Sequence, residues 1–173
     1  MQARAFWKAI AQDRADFLDR LIALFAERGI RYCLVGGQAV NAYVEPVVNL
    51  DLDIVVATEH MVELEPLLTR SFVVQRFPHS LNVSAEGSDL RVQIQMDPRY
   101  FSFVDRATPR DVLGLKLPVA SVADVLQDKL WAVADPTRRP SKRQKDLADI
   151  ARLTETYPAL RERVPADVLS RLI

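Results

Sequence analysis

An apolar run that carries two acids two residues apart, Asn49-Leu-Asp-Leu-Asp-Ile-Val-Val56, limits what this chain can fold into more than any other stretch. Alternate side chains of a strand share a face, so Asp51 and Asp53 stand together while Leu52, Ile54 and Val56 turn toward a core. Adjacent carboxylates repel unless a face is wet or a cation joins them. Magnesium suits such a pair, because it takes carboxylate oxygens, water and substrate phosphates. Two solvated aspartates on an edge strand satisfy the same pattern. The segment upstream, Tyr32-Cys-Leu-Val-Gly-Gly-Gln-Ala-Val-Asn41, favours the cation. Ile30–Val35 reads as a short buried strand, Gly36-Gly37 ends it, and Gln38–Tyr43 fits a helix that starts directly after the turn. A strand, a glycine turn and a helix N-terminus in that order point backbone N–H groups at whatever lies above the strand, which favours phosphate. A plain turn needing positive φ accounts for the same glycines.

With 173 residues, the chain is long enough for one domain with a core and a helical appendage. Lys plus Arg and Asp plus Glu balance at 23 each, so any nucleic-acid contact has to come from a local patch and not from overall charge. The single cysteine, Cys33, lies in an apolar run and reads as a buried small hydrophobe in a reducing compartment. One cysteine with His60 and His79 does not reproduce zinc-site spacing. No apolar run reaches the roughly 18 residues of a membrane span, and no signal-peptide core precedes the first helix. A cytoplasmic protein without a membrane partner is expected.

Taken in order, residues 3–29 read as helix, with an N-cap signal at Asp13 and Asp16, a stripe of Phe17, Leu18, Leu21, Ile22 and Phe25, and a stop at Gly29; Phe6, Trp7 and Ile10 fit a separate short helix as well. The acid-bearing strand is expected over Val47–Ala57 and an amphipathic helix over Thr58–Arg70. Short strands follow at Phe72–Phe77, Leu81–Ala85 and Leu90–Met96, separated by turn residues. Residues 101–110 read as a short helix and loop, and Val112–Val119 as one more extended piece. From Ser121 the pattern becomes helical. Ser121-Val-Ala-Asp124 and Ser141-Lys-Arg-Gln144 both match capping-box spacing and open helices to about Ala134 and Tyr157. The expected division is an α/β core over 1–120 with its N-terminal helix, and a C-terminal helical segment over 121–173 packed on it as a single compact unit.

Two features of the helical part stand out. Lys129 falls on the apolar stripe of Val122, Val125, Leu126 and Val133, so either its head snorkels to water or it reaches a site between helix and sheet. Lys145 and Asp149 are spaced for an i,i+4 pair, and Asp146 lies in a first turn, where the helix dipole favours an acid. Arg138, Arg139, Lys142, Arg143 and Lys145 together make a basic cluster over the loop 135–145, either a solvated surface or a contact for phosphate or nucleic acid.

The set Val35-Gly-Gly-Gln-Ala39, Leu50-Asp-Leu-Asp-Ile54, Lys129 and Lys145-Asp-x-x-Asp149 resembles the nucleotidyltransferase superfamily, with the nearest likeness to minimal bacterial enzymes of the AbiEii toxin type. The motifs span roughly residues 30–155. The resemblance implies a small mixed β-sheet with flanking helices, an α/β (α+β) fold of polymerase-beta-like type. It implies an enzyme moving a nucleotide monophosphate from an NTP to an RNA (a tRNA end) or protein acceptor, with Mg2+ or Mn2+, in a toxin–antitoxin or defence setting with an antitoxin-like partner. By that likeness Gly36, Gly37 and Gln38 would cradle phosphate, Asp51 and Asp53 would hold metal, Lys129 and Lys145 would contact phosphate, and Asp146 would act beside them. The pattern departs in two places. Gln93, which can bind a cation through its carbonyl but cannot act as a base, stands where a third carboxylate is expected, with Asp97 roughly 13 Å further along at about 3.3 Å per residue. Val47 and Asn49 stand where an arginine and a threonine are common. A silent domain that binds nucleotide, RNA or a protein partner is therefore the alternative.

Overall fold

The structure, a computed structural model, describes residues 3–13 and 16–172. Seven strands form one mixed sheet: β1 (Tyr32–Val35), β2 (Asp51–Val56), β3 (Val73–Phe77), β4 (Ser80–Ser84), β5 (Arg91–Gln95), β6 (Thr108–Val112) and β7 (Leu115–Val119), in the order β3-β4-β5-β2-β1-β7-β6. The fold is the mixed α/β sheet with flanking helices that the sequence implies. At its centre β2 runs antiparallel to β1 and parallel to β5, and β1 runs parallel to β7.

Packing follows the apolar pattern. In β2, Leu52, Ile54, Val55 and Val56 are fully buried while Asp51 and Asp53 stay partly open on the alternate face. Helix α2 (Phe17–Glu27) buries Phe17, Leu18, Leu21 and Phe25 completely, and its rings meet Phe72 and Tyr32. The acid at its start works from Asp13, whose Oδ1 accepts the Phe17 N–H at 2.9 Å. Within residues 3–29, Phe6, Trp7 and Ile10 belong to a separate short helix, α1 (Ala3–Ile10).

Three boundaries differ from expectation for identifiable reasons. The second strand starts at Asp51, because residues 44–50 are held as a loop by side chains: Asn41 and Gln38 bond the carbonyls of Val47 and Asn49. The stretch expected as helix and loop over 101–110 contains α5 (Phe103–Arg106) and then β6, which pairs with β7 in a hairpin. Its two turn residues, Leu113 and Gly114, both have positive φ, 54° and 77°, the geometry that matches the twist of a two-residue hairpin. The last long helix begins at Pro140 with Arg139 as its N-cap, not at a Ser141 cap.

After α4 (Met61–Thr69), the remaining helices are α6 (Val122–Ala134), α7 (Pro140–Thr156) and α8 (Ala166–Leu169). The Ser121 hydroxyl caps α6 by accepting the Asp124 N–H at 3.2 Å. Helices α6 and α7 pack on each other, and both pack on the short helix α3 (Gly36–Asn41) that follows β1. This lays α6 and α7 over the open face of β2. No helix among the described residues is long and apolar enough to cross a membrane.

Candidate active site

Strand register assembles the site first. Val35, the last residue of β1, lies opposite Asp53, and on the other side Asp53 faces Gln93 of β5 while Asp51 faces Arg91. The chain turns at Gly36, with φ of +70°, beside the acids. A Cβ on Gly36 would run into the Asp53 carboxylate, and one on Gly37 into the Asn49 amide. Gly36 is required by its dihedral, and a side chain at either glycine would have to displace that of Asp53 or Asn49.

Asp53 is the unusual acid. Among the described residues no donor reaches its carboxylate, and its pKa is pushed up to about 7, first by burial and then by the negative charges of Asp128 and Asp51, against the opposing pull of Lys129 and Arg138. Asp51 is differently placed: Arg91 Nε approaches its Oδ1 at 2.7 Å and Lys142 Nζ its Oδ2 at 3.5 Å.

Opposite the strand stands a buried charge cluster. Lys129, 7% exposed, does not snorkel; its Nζ lies 3.0 Å from Asp146 and 2.9 Å from Asp149. Burial alone would lower the lysine pKa, but the charges of Asp149, Asp128 and Asp146 outweigh it and hold the ammonium firmly protonated. Asp146 is 1% exposed and is also gripped by Arg138, through Nε at 2.8 Å and Nη2 at 3.1 Å. Asp149 pairs with Arg152 at 2.8 Å, so the expected surface pair with Lys145 is replaced. The basic loop is therefore not simply a solvated patch, since Arg138 is spent on Asp146 and Arg143 bonds the Asp135 and Arg138 carbonyls.

Three connected hollows meet at Asp53 and Arg138. One, about 290 Å³, is lined by Gly37, Asp51, Asp53, Lys142, Lys145 and Arg152 among others and carries the cations. A second, about 420 Å³, runs over Arg91 and Gln93. The third, about 520 Å³, lies toward Gly36, Gln93, Asp128, Tyr100 and Trp131. Of the residues singled out from sequence, Asp51, Asp53, Gly36, Gly37, Gln93, Lys129, Lys145 and Asp146 all line these hollows. Gln38 does not. It is buried, and its amide is given to the Asn49 carbonyl at 2.6 Å, which fixes the loop ahead of β2.

Asp128 is the functional candidate that sequence reasoning passed over. Its Oδ2 accepts the Gly36 N–H at 2.9 Å and its Oδ1 the Tyr100 hydroxyl at 2.9 Å. Burial raises its pKa, with Lys129, Tyr100 and Gly36 pulling the other way. The available signal was its place beside the buried Lys129 and one turn after Asp124, which puts acids along a helix that otherwise packs inward.

A glycine turn beside a strand with paired carboxylates, covered by two helices, is the arrangement expected of a nucleotidyltransferase fold. The chain matches, over residues 5–172, the family described as nucleotidyl transferase AbiEii toxin, type IV TA system, and it belongs to that family. Among solved structures, it is similar to ANT(2'')-Ia in complex with adenylyl-2''-tobramycin, at 16% identity and a TM-score of 0.62, covering 91% of this chain and 97% of that one. It is likewise similar to the lincosamide antibiotic adenylyltransferase LnuA with lincomycin bound, at 15% identity and a TM-score of 0.50, covering 80% and 95%. These likenesses show the fold. No curated protein sequence matches the chain significantly.

Proposed function

We propose that this protein transfers a nucleotide monophosphate from an NTP to a hydroxyl of an acceptor, and that Asp51 and Asp53 hold the divalent cation for that reaction. The observation that carries the reading is Asp53, a partly buried carboxylate next to two other acids, with no donor on it among the described residues. A site that leaves an acid in that state is built for a cation. Among the described residues no three His, Cys, Asp or Glu side chains converge as a metal cage. Two carboxylates with the Gln93 amide oxygen fit magnesium, which commonly binds through one or two carboxylates, water and substrate phosphates. When bound, the ion neutralises charge on the reacting phosphate.

The chain's own residues do the rest. Lys142, Lys145 and Arg152 line the basic hollow beside Gly37, where a triphosphate is held by charge. Arg91 and Lys142, now on Asp51, are free to turn to phosphate once a cation takes that carboxylate. Lys129 is locked by Asp146 and Asp149, so it acts as a fixed positive charge next to Asp53. The 520 Å³ hollow is left for the acceptor. Neighbours in fold are named for transfer to small hydroxylated antibiotics, and the family for a toxin, so small molecules, RNA and protein are all acceptors to be tried. A cytoplasmic setting with a partner antitoxin accords with the family.

Incubation of wild type and Asp53→Ala with the four α-labelled NTPs, Mg2+ or Mn2+, total RNA, total protein, tobramycin and lincomycin tests this. Label moving to an acceptor only with wild type is the expected result. Absence of metal-dependent NTP binding, unchanged by Asp51→Asn, would overturn it and leave a silent scaffold. Gln93 opposite Asp53 is the observation that favours that second reading, since an amide does not accept a proton.

A further inference from the structure

Nucleotidyl transfer to a hydroxyl releases a proton, and the strand face offers poor places for it. Gln93 is an amide, Asp51 is held by Arg91 and Lys142, and Asp53 is the metal candidate. The other acids around the 520 Å³ hollow are equally engaged. Asp97 binds both the backbone N–H and the guanidinium of Arg99, at 3.0 and 2.9 Å. Asp146 lies between Lys129 and Arg138. Asp135 is exposed at the rim and capped by the N–H and hydroxyl of Thr137.

Asp128 differs from all of them. Its two hydrogen-bond partners, the Gly36 N–H and the Tyr100 hydroxyl, are neutral donors that orient a carboxylate without neutralising it. It lines the large hollow and not the basic one. Gly36 stands between it and Asp53: the backbone N–H is given to Asp128, and the space a Cβ would need is filled by the Asp53 carboxylate. The two acids therefore flank one peptide unit, one on the metal side and one on the acceptor side. Among the described residues Asp128 does not converge with Asp51 and Asp53 as a three-acid cage.

We infer that Asp128 is the catalytic proton acceptor for the acceptor hydroxyl, supplying from helix α6 what Gln93 does not supply from β5. The inference rests on the nucleotidyl-transfer reading above. In the step, the acceptor oxygen forms a bond to the α-phosphorus as the bond from that phosphorus to the β-bridging oxygen breaks. Pyrophosphate leaves with the electron pair, and the hydroxyl proton passes to an Asp128 oxygen. Tyr100 is a positioning residue, and it keeps the carboxylate aimed into the hollow.

The test uses the full chain and whichever of the RNA, protein or antibiotic acceptors wild type labels. Asp128→Asn is expected to slow transfer by about 10²–10⁴-fold, the range of general-base losses, while Mg2+–NTP affinity stays within about threefold. Asp128→Glu and Asp128→Gln are matched in size and differ in the carboxylate, so Glu should retain at least about tenfold more transfer than Gln even if both are destabilised. Equal rates for that pair, an Asp128→Asn rate near that of wild type, or loss of NTP binding in step with transfer would overturn the assignment. If wild type labels no acceptor, the reading of function fails first, and this one with it.

Discussion

Burial and two neighbouring acids hold the Asp53 carboxyl well above its ordinary pKa, so its ionisation should cost the metal-free fold stability. Its folded pKa is about 7 against an ordinary 3.8, so the folded chain keeps a proton that the unfolded chain releases. Stability from this group is fullest below about pH 4, is lost as pH rises through about 7, and above that the repulsion is complete. Asp53→Asn should therefore raise the melting temperature in EDTA at pH 8 by about 3–6 °C, on the order of 1–2 kcal/mol, and abolish transfer. The gain should shrink at pH 5.5, and Mg2+ should narrow it at pH 8 by stabilising wild type alone. A lower melting temperature for the variant in EDTA at pH 8 would refute this account of the site. Gly36 supplies the converse case. Its left-handed φ costs any other residue about 1–2 kcal/mol, and an added methyl would displace Asp53. Gly36→Ala should lower the melting temperature by several degrees and transfer by more than about tenfold, read by thermal melt and the labelling assay.

Two helices with the same sequence signal behave differently, and the difference is measurable. Ser121 caps α6 through its hydroxyl, whereas α7 opens at Pro140 with no side-chain cap. Ser121→Ala should cost about 1 kcal/mol and Ser141→Ala almost nothing, by denaturant titration; equal costs would mean that the spacing alone sets the caps. The pair marks how far a sequence pattern carries. Alternation and glycine placement were enough to read β1, β2, β5, the acid pair and its turn, because local geometry decides them. The β6–β7 hairpin stayed hidden because Leu113-Gly114 is an uncommon turn and because Pro109 pairs with Pro118 across it; Pro109 is tolerated on the edge strand β6, and Pro118 precedes Val119, where β7 meets β1. Asp128, the role of Gln38 and the capture of Asp149 by Lys129 depend on contacts between residues far apart in the chain. No periodicity encodes them.

For the molecule as a whole, the question is whether residues 121–173 form a separable lid or the second wall of one body. The wall is extensively joined. Asp128 accepts the Gly36 N–H and the Tyr100 hydroxyl, both at 2.9 Å. Farther along, Arg152 holds the Glu45 carbonyl at 2.6 Å and the Tyr157 hydroxyl holds the Tyr43 carbonyl at 3.2 Å. Val125, Leu126, Ile150 and Leu153 contribute to the same buried core as the sheet. A fragment ending at residue 120 would expose that core along with the open face of β2, so it should show no cooperative melt. The full chain should unfold in one transition. Because Asp53 lies on the sheet and Lys129 and Lys145 on the helical wall, Mg2+–NTP bound as proposed would span both parts. At about 100 times its dissociation constant it should stabilise by roughly 2.7 kcal/mol and raise that single transition by about 5–10 °C. Calorimetry resolving two transitions, with only one moved by nucleotide, would instead make the C-terminal segment a lid with stability of its own.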